Sequence, residues 1–214
     1  KNVFTWCTTS NDNIIYVGEG ENTMRGNVSE GLGGMWKSED AGKTWKNIGL
    51  KDGRHITNII IHPDDANTLW VGVMGHLFGP NQERGIFKSI DGGKTWKKLG
   101  AKEGLPEGNY GRIGLAISRS NPNRVYALVE ATKNGLYKSD DGGLNWTLMN
   151  SNPEFVSTRP FYFQEIVCDP ENENRLWLIY QMIGKSEDAG KNFEVVIPYN
   201  GIHPDHHAFW IHPT

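Results

Sequence analysis

SIDGGKTW, Ser89 to Trp96, decides the fold, because the same pattern occurs four times in 214 residues. The other copies are SEDAGKTW (Ser38–Trp45), SDDGGLNW (Ser139–Trp146) and SEDAGKNF (Ser186–Phe193), at spacings of 51, 50 and 47 residues. Each follows a lysine, and three follow a large apolar residue as well: Trp36-Lys37, Phe87-Lys88 and Tyr137-Lys138. A fixed period of this length marks a repeat protein, in which each unit buries its apolar face only against its neighbours. Asp side chains bond backbone N–H groups inside a turn, and Gly accepts φ > 0, so each copy reads as a hairpin.

A second signature stands upstream of each copy: an apolar strand, a polar turn and another apolar strand. The four pairs are VFTWC/IIYVG, ITNIII/TLWVGVMG, RIGLAI/RVYALVE and FQEIVC/RLWLIY. Aligned without gaps, they put Asn13, Asn67, Asn123 and Asn174 in one column, and Tyr16, Trp70, Tyr126 and Trp177 three residues later. Each repeat therefore predicts four strands, A to D, in a meander, which is a β-propeller blade. The aromatic column and the Trp closing each S-x-D-x-G turn are the expected filling between blades. The predicted blades span 1–49, 54–100, 111–149 and 161–197. A fifth blade is expected to start at 205–214, where Ile211-His212-Pro213 aligns with Ile61-His62-Pro63. Four blades and one extra strand suggest part of a larger propeller, completed by the same chain or another.

Composition fits an all-β chain: 26 Gly, eight Trp and no amphipathic helical period. A net charge of −3 without a basic run argues against nucleic acid. No apolar run approaches the ~20 residues of a membrane span. The chain starts at Lys1 without a leader-like segment, consistent with a mature form or a fragment. Cys7 and Cys168 share a column with Ile61 and Ile117, so both read as buried free thiols. Two N-glycosylation patterns occur, at Asn27-Val28-Ser29 and Asn145-Trp146-Thr147.

In a meander blade the A–B and C–D turns share one end, and the B–C and D–A connections share the other. The second end carries the variation: from strand-B aromatic to turn serine the distances are 22, 19, 13 and 9 residues. Variable loops on a repeated scaffold are where binding or chemistry is expected. The loop Gly18–Gly34 carries Glu19, Glu21, Arg25 and Glu30, and Gly75–Gly85 carries His76, Phe78, Glu83 and Arg84. The D–A connectors bring Arg54 and His55, Tyr110 and Arg112, Arg159 and Tyr162, and finally His206 and His207. These residues are the expected ligand-binding set. No metal or other cofactor is expected, since adjacent His206 and His207 point to opposite faces of a strand.

The repeated turn resembles the Asp-box, S-x-D-x-G-x-T-W, of BNR and sortilin (VPS10)-like β-propellers, and the resemblance covers essentially the whole chain. It implies a structural role for Ser38, Asp40, Gly42, Trp45, Ser89, Asp91, Gly93, Trp96, Ser139, Asp141, Gly143, Trp146, Ser186, Asp188, Gly190 and Phe193. It departs from the pattern at Asn145, Asn192 and Phe193. DHHAFWIHP is similar to a D-x-H-x-x-W-I-D-P element of bacterial members, with His212 in place of Asp. The resemblance implies a secreted, periplasmic or cell-surface protein whose propeller binds protein, peptide or glycan without catalysis. It equally brings in glycoside hydrolases, xyloglucanase- or sialidase-like, and a purely structural module. The sialidase segment F/Y-R-I-P is absent, and no spacing singles out a carboxylate pair among Glu19, Glu21, Asp52, Glu83 and Asp205.

Overall fold

A computed structural model describes residues 11–21, 31–200, 202–204, 206 and 208–212, and the strand 4–8 by its backbone. Among the described residues sixteen strands form four antiparallel sheets, each a simple meander of four consecutive strands. Residue contacts divide the chain into two compact units, Lys1–Gly100 and Ala101–Thr214, with two sheets in each.

In the first unit, β1 (Phe4–Thr8), β2 (Ile15–Glu19), β3 (Met35–Ser38) and β4 (Lys46–Asn47) form one sheet. The other sheet is β5 (Ile56–His62), β6 (Asp65–Val73), β7 (Gly85–Ser89) and β8 (Lys97–Leu99). In the second unit, β9 (Ile113–Ile117), β10 (Val125–Val129), β11 (Gly135–Ser139) and β12 (Thr147–Asn150) form the third sheet. The fourth is β13 (Glu165–Cys168), β14 (Leu176–Ile179), β15 (Ile183–Ser186) and β16 (Glu194–Ile197). One helical turn, α1 (Pro153–Val156), is capped by the Asn152 side chain. Among the described residues no helix is long and apolar enough to cross a membrane.

The four S-x-D-x-G turns share one hydrogen-bond pattern. Gly42, Gly93, Gly143 and Gly190 each donate N–H to the serine hydroxyl, at 2.8–2.9 Å. Each aspartate accepts from that serine and from the N–H four residues on. Thr44 and Thr95 add a hydroxyl donor, and Asn145 and Asn192 supply a side-chain amide in its place. The departures from the repeat thus conserve the donor. The Asn145 amide is committed to Asp141, which holds that side chain within the turn.

The asparagine column has a part that its sequence position alone does not reveal. The carbonyls of Asn13, Asn67, Asn123 and Asn174 accept N–H from Ala41, Gly92, Gly142 and Ala189, at 2.8–3.0 Å. Those four acceptor-bound residues all have positive φ, between 57° and 71°. The A–B and C–D turns of every sheet are therefore tied together at one end.

Strand register also explains the lysine before each turn. Tyr16, Trp70, Tyr126 and Trp177 pair directly with Lys37, Lys88, Lys138 and Lys185. Three of these ammonium groups lie 5.0–5.6 Å from the ring centre of their partner. The column fills the space between sheets within each unit: Tyr16 and Tyr126 are fully buried. Their hydroxyls donate to the carbonyls of Ala66 (2.9 Å) and Glu173 (2.6 Å) in the following sheet.

Within the described residues the turn aromatics of the later repeats meet the segment before their own repeat. The Trp96 indole donates to the Ile48 carbonyl at 2.7 Å, the Trp146 backbone N–H donates to the Glu103 carbonyl, and the Phe193 ring lies 5.5 Å from Phe155. Trp45, in the first repeat, is 42% exposed. Two expectations need correction. In the second sheet the A–B turn is tight, because β6 begins at Asp65, paired with His62 across a bulge. The described residues of 205–214 form no strand. Phe209 packs on Trp177, with ring centres 5.3 Å apart. Cys168 is buried and free, and burial pushes its thiol up to about 12. The Cys7 side chain lies outside the described residues, as do Arg25, Glu30, Asp205 and His207.

Candidate functional site

At the end opposite the turns, the first unit draws two loops onto one connector. The connector is a single 3-10 turn, Lys51–Gly53, followed by Arg54 with φ of 57°. Asp52 is its hub. Its N–H donates to Glu83 Oε2 at 2.6 Å, its carbonyl accepts from Asn81 Nδ2 at 2.8 Å, and its carboxylate stands 2.7 Å from His76 Nε2. The His76 hydrogen bond is the chief cause holding the Asp52 carboxyl below its usual range. Arg84 closes the loop from inside by donating to the carbonyls of His76 and Gly79. Phe78, at the tip, is 95% exposed.

The loop after β2 is organised by Glu19, which is buried at the end of that strand. Its Oε2 accepts N–H from Leu32 and Gly33 (2.8 and 3.0 Å), and its Oε1 accepts the Trp36 indole N–H (2.6 Å). This explains the glycines: a Cβ at Gly31 would stand 2.6 Å from the Glu19 Cβ, and one at Gly33 would stand 2.7 Å from the Trp36 nitrogen. Gly31 N–H then reaches the Arg54 carbonyl at 2.9 Å, docking this loop on the same connector.

The second unit builds a different arrangement around Arg112, just before β9. Its side chain is 1% exposed. The guanidinium donates to the Tyr162 carbonyl and lies 3.6 Å from Glu165 Oε1 at the start of β13. Glu130, at the end of β10, accepts the Arg112 N–H at 2.8 Å. Burial drives both ionic partners toward neutrality: Arg112 falls to about 10 despite the nearby carboxylates, and Glu165 rises to about 7 despite the guanidinium. Outside this pair, the Arg159 guanidinium lies over the rings of Phe161 and Tyr162, at 5.6 and 5.5 Å.

The sequence set is thus distributed in two groups. Arg54, His55, His76 and Arg84 gather around the connector of the first unit. Tyr110, Arg112, Arg159 and Tyr162 belong to the second. His55, Tyr110 and Arg112, expected at an open mouth, are buried, and Tyr110 donates its hydroxyl to the Pro106 carbonyl. His206 is half-buried. Among the described residues no three His, Cys, Asp or Glu side chains converge as a metal site requires. Glu165 and Glu130 escaped the sequence reading. The signal for Glu165 was present, since its column holds Asn58 and Gly114 in the second and third repeats.

The family model described as Sortilin, neurotensin receptor 3 (Sortilin-Vps10) matches residues 33–197. This chain belongs to the Sortilin-Vps10 family. A xyloglucanase of Paenibacillus sp is 27% identical over 146 residues, taking in 56% of this sortilin-family chain and 14% of the relative. Among solved structures, the GH74 xyloglucanase of Xanthomonas campestris superposes with a TM-score of 0.63 at 14% identity, covering 91% of this chain and 32% of its own. An ancestral GH74 enzyme gives 0.61 at 18% identity, over 87% and 23%. YCF48 of Cyanidioschyzon merolae gives 0.56 at 15% identity, over 92% and 56%. These likenesses establish a β-propeller fold. The chain spans about one seventh of the curated relative and between a quarter and a little over half of these structures.

Proposed function

We propose that this chain supplies blades 1–49, 54–100, 111–149 and 161–197 of a non-catalytic β-propeller in a secreted or cell-surface protein. Further blades, from the same chain or another, complete the ring. The ligand is a protein, peptide or glycan, bound at the loop-bearing end of the blades. The observation that carries this reading is Phe78: a 95% exposed aromatic at the tip of a loop braced by Asp52, Asn81 and Arg84. A large side chain presented on an ordered loop loses little entropy on binding, which is how interface anchors gain affinity. In the second unit the exposed Arg159, lying over Phe161 and the half-buried Tyr162, offers another contact. His55 in the first unit and Tyr110 and Arg112 in the second are buried.

A second reading, a glycoside hydrolase, is favoured by the xyloglucanase relative and by Glu165. A carboxyl that titrates at about 7 can hold a proton for a leaving oxygen at neutral pH. The two readings part in one experiment. The intact protein is screened on a glycan and peptide array beside Phe78→Ala and Arg159→Ala, and incubated with xyloglucan under a reducing-end assay. Binding that is lost in the variants, with no new reducing ends, supports the binding module. Hydrolysis that disappears in Glu165→Gln replaces it with the enzyme.

A further inference from the structure

One guanidinium faces two partners in the second unit. Arg112, just ahead of β9, reaches across to the fourth sheet, where it donates to the Tyr162 carbonyl and stands 3.6 Å from Glu165 Oε1. A charge-assisted hydrogen bond to a carboxylate closes to about 2.7–2.9 Å. The guanidinium is therefore committed to the carbonyl and stands off the carboxyl. Its nitrogens form a rigid planar fork, so a move that brings one of them onto Glu165 carries the other away from Tyr162. Two arrangements of one buried cation compete.

The Tyr162 carbonyl belongs to a tight turn. The N–H groups of Tyr162 and Phe163 both donate to the Arg159 carbonyl, at 2.8 and 2.9 Å. Arg159 itself has φ of 53°, a left-handed conformation that residues with a Cβ resist, and Arg112 holds the turn from beneath. The charges around Glu165 come from each neighbouring element. The third sheet brings Arg112 and also Glu130, whose charge acts on Arg112. On β14 the residue opposite is the uncharged Ile179. Tyr180 follows it, with a hydroxyl that burial pushes up to about 12 and on which Glu154 of α1 acts. Arg159 and Tyr162 lie on the connector that leads into β13. Burial outweighs the charge of Arg112 and raises the Glu165 carboxyl to about 7.

We propose that Glu165 is a pH-sensitive latch for the turn 159–163. With the carboxyl neutral, Arg112 holds the Tyr162 carbonyl and the turn is closed; once the carboxylate forms, Arg112 moves onto it and the turn opens. The closed form, which buries Glu165, binds its proton more tightly, so acid favours that form and rising pH opens it. The Arg159 contact is then pre-organised on the acid side and loose on the alkaline side, a consequence that rests on reading Arg159 as a ligand contact. The test is carbon-13 NMR of the intact protein without ligand, titrated across neutral pH. It follows the Glu165 carboxyl, the Tyr162 carbonyl and, as a reference at the turn-bearing end, the Gly143 carbonyl that accepts from Trp146. The Tyr162 carbonyl is expected to shift with the midpoint of Glu165 while Gly143 stays fixed, and Glu165→Gln is expected to abolish the Tyr162 step. A Tyr162 carbonyl that stays still while Glu165 titrates, or a step that survives in Glu165→Gln, overturns the proposal. If Glu165→Gln does not fold, coincidence of the two midpoints in the unaltered protein, with Gly143 fixed, decides. Because no ligand enters the titration, a failed latch leaves the binding reading standing, and a failed binding screen leaves the latch standing.

Discussion

The Glu19–Trp36 contact offers a sharp test of how the long first loop is held. Glu19 is buried and accepts three hydrogen bonds, two from loop N–H groups and one from the Trp36 indole at 2.6 Å. Hydrogen bonds to a charged acceptor contribute about 1.5–3 kcal/mol each. In Glu19→Gln the carbonyl oxygen keeps the two loop N–H groups, and the new amide N–H₂ then faces the indole donor, at a cost of about 2 kcal/mol. Trp36→Phe leaves one Glu19 oxygen without its donor, at a similar cost. The double variant removes the facing donors together. Its destabilisation is therefore expected to fall short of the sum by roughly 1–2 kcal/mol, well beyond the ~0.3–0.5 kcal/mol scatter of independent sites. Urea unfolding followed by far-UV circular dichroism reads all four corners of the cycle without relying on tryptophan emission. Strict additivity would refute the idea that this carboxylate and this indole act as one clamp.

Two further outcomes follow from the ionisable groups. Hydrogen bonds from Thr44 and Thr95 hold Asp40 and Asp91 at about 2, and those from Asn145, working against burial, hold Asp141 there as well. Each is depressed below its unfolded value of ~4, so their stabilisation is fully present above pH ~4 and is lost as pH falls through about 2. Asp91→Ala should lower the unfolding midpoint at pH 7 and flatten that acid limb, while leaving affinity for ligands of the loop-bearing end unchanged; an unaltered acid limb would count against it. Glu165 behaves with the opposite sign. Its folded value of about 7 exceeds the unfolded ~4.3, so its contribution to stability declines as pH rises between them. Arg112→Gln removes the charge that pulls Glu165 down, so its carboxyl resonance, followed by carbon-13 NMR, should titrate higher still. A fall or no change would sink that account.

Much of the scaffold was legible because it repeats. Ser, Asp and Gly at fixed offsets satisfy their own backbone locally, so four copies of one spacing suffice to place four turns. The asparagine column was visible, but its action was not: its main-chain carbonyl does the work, and a main-chain contact leaves no mark on residue type. The lysine before each turn was visible as well. Only register shows that it pairs with the strand-B aromatic. The loop-bearing end was legible by its irregular lengths, but its interior was not, because burial there depends on which loops fold over which connector. His55, Tyr110 and Arg112 look like surface residues in sequence and become wall. Glu165 looks like a polar strand end and becomes the partner of a buried guanidinium.

The two ends of each blade therefore obey different constraints, and that difference has a use. At the turn-bearing end nearly every polar group is committed to a partner within the repeat, so substitutions there should report on folding. At the loop-bearing end the polar groups instead tie loops to connectors, as Asp52 does with His76, Asn81 and Glu83, while Phe78 stays 95% exposed. Phe78→Ala removes no such tie, so it should leave the unfolding free energy unchanged within about 0.5 kcal/mol while lowering affinity for a ligand of that end. A loss of stability instead would undo that division.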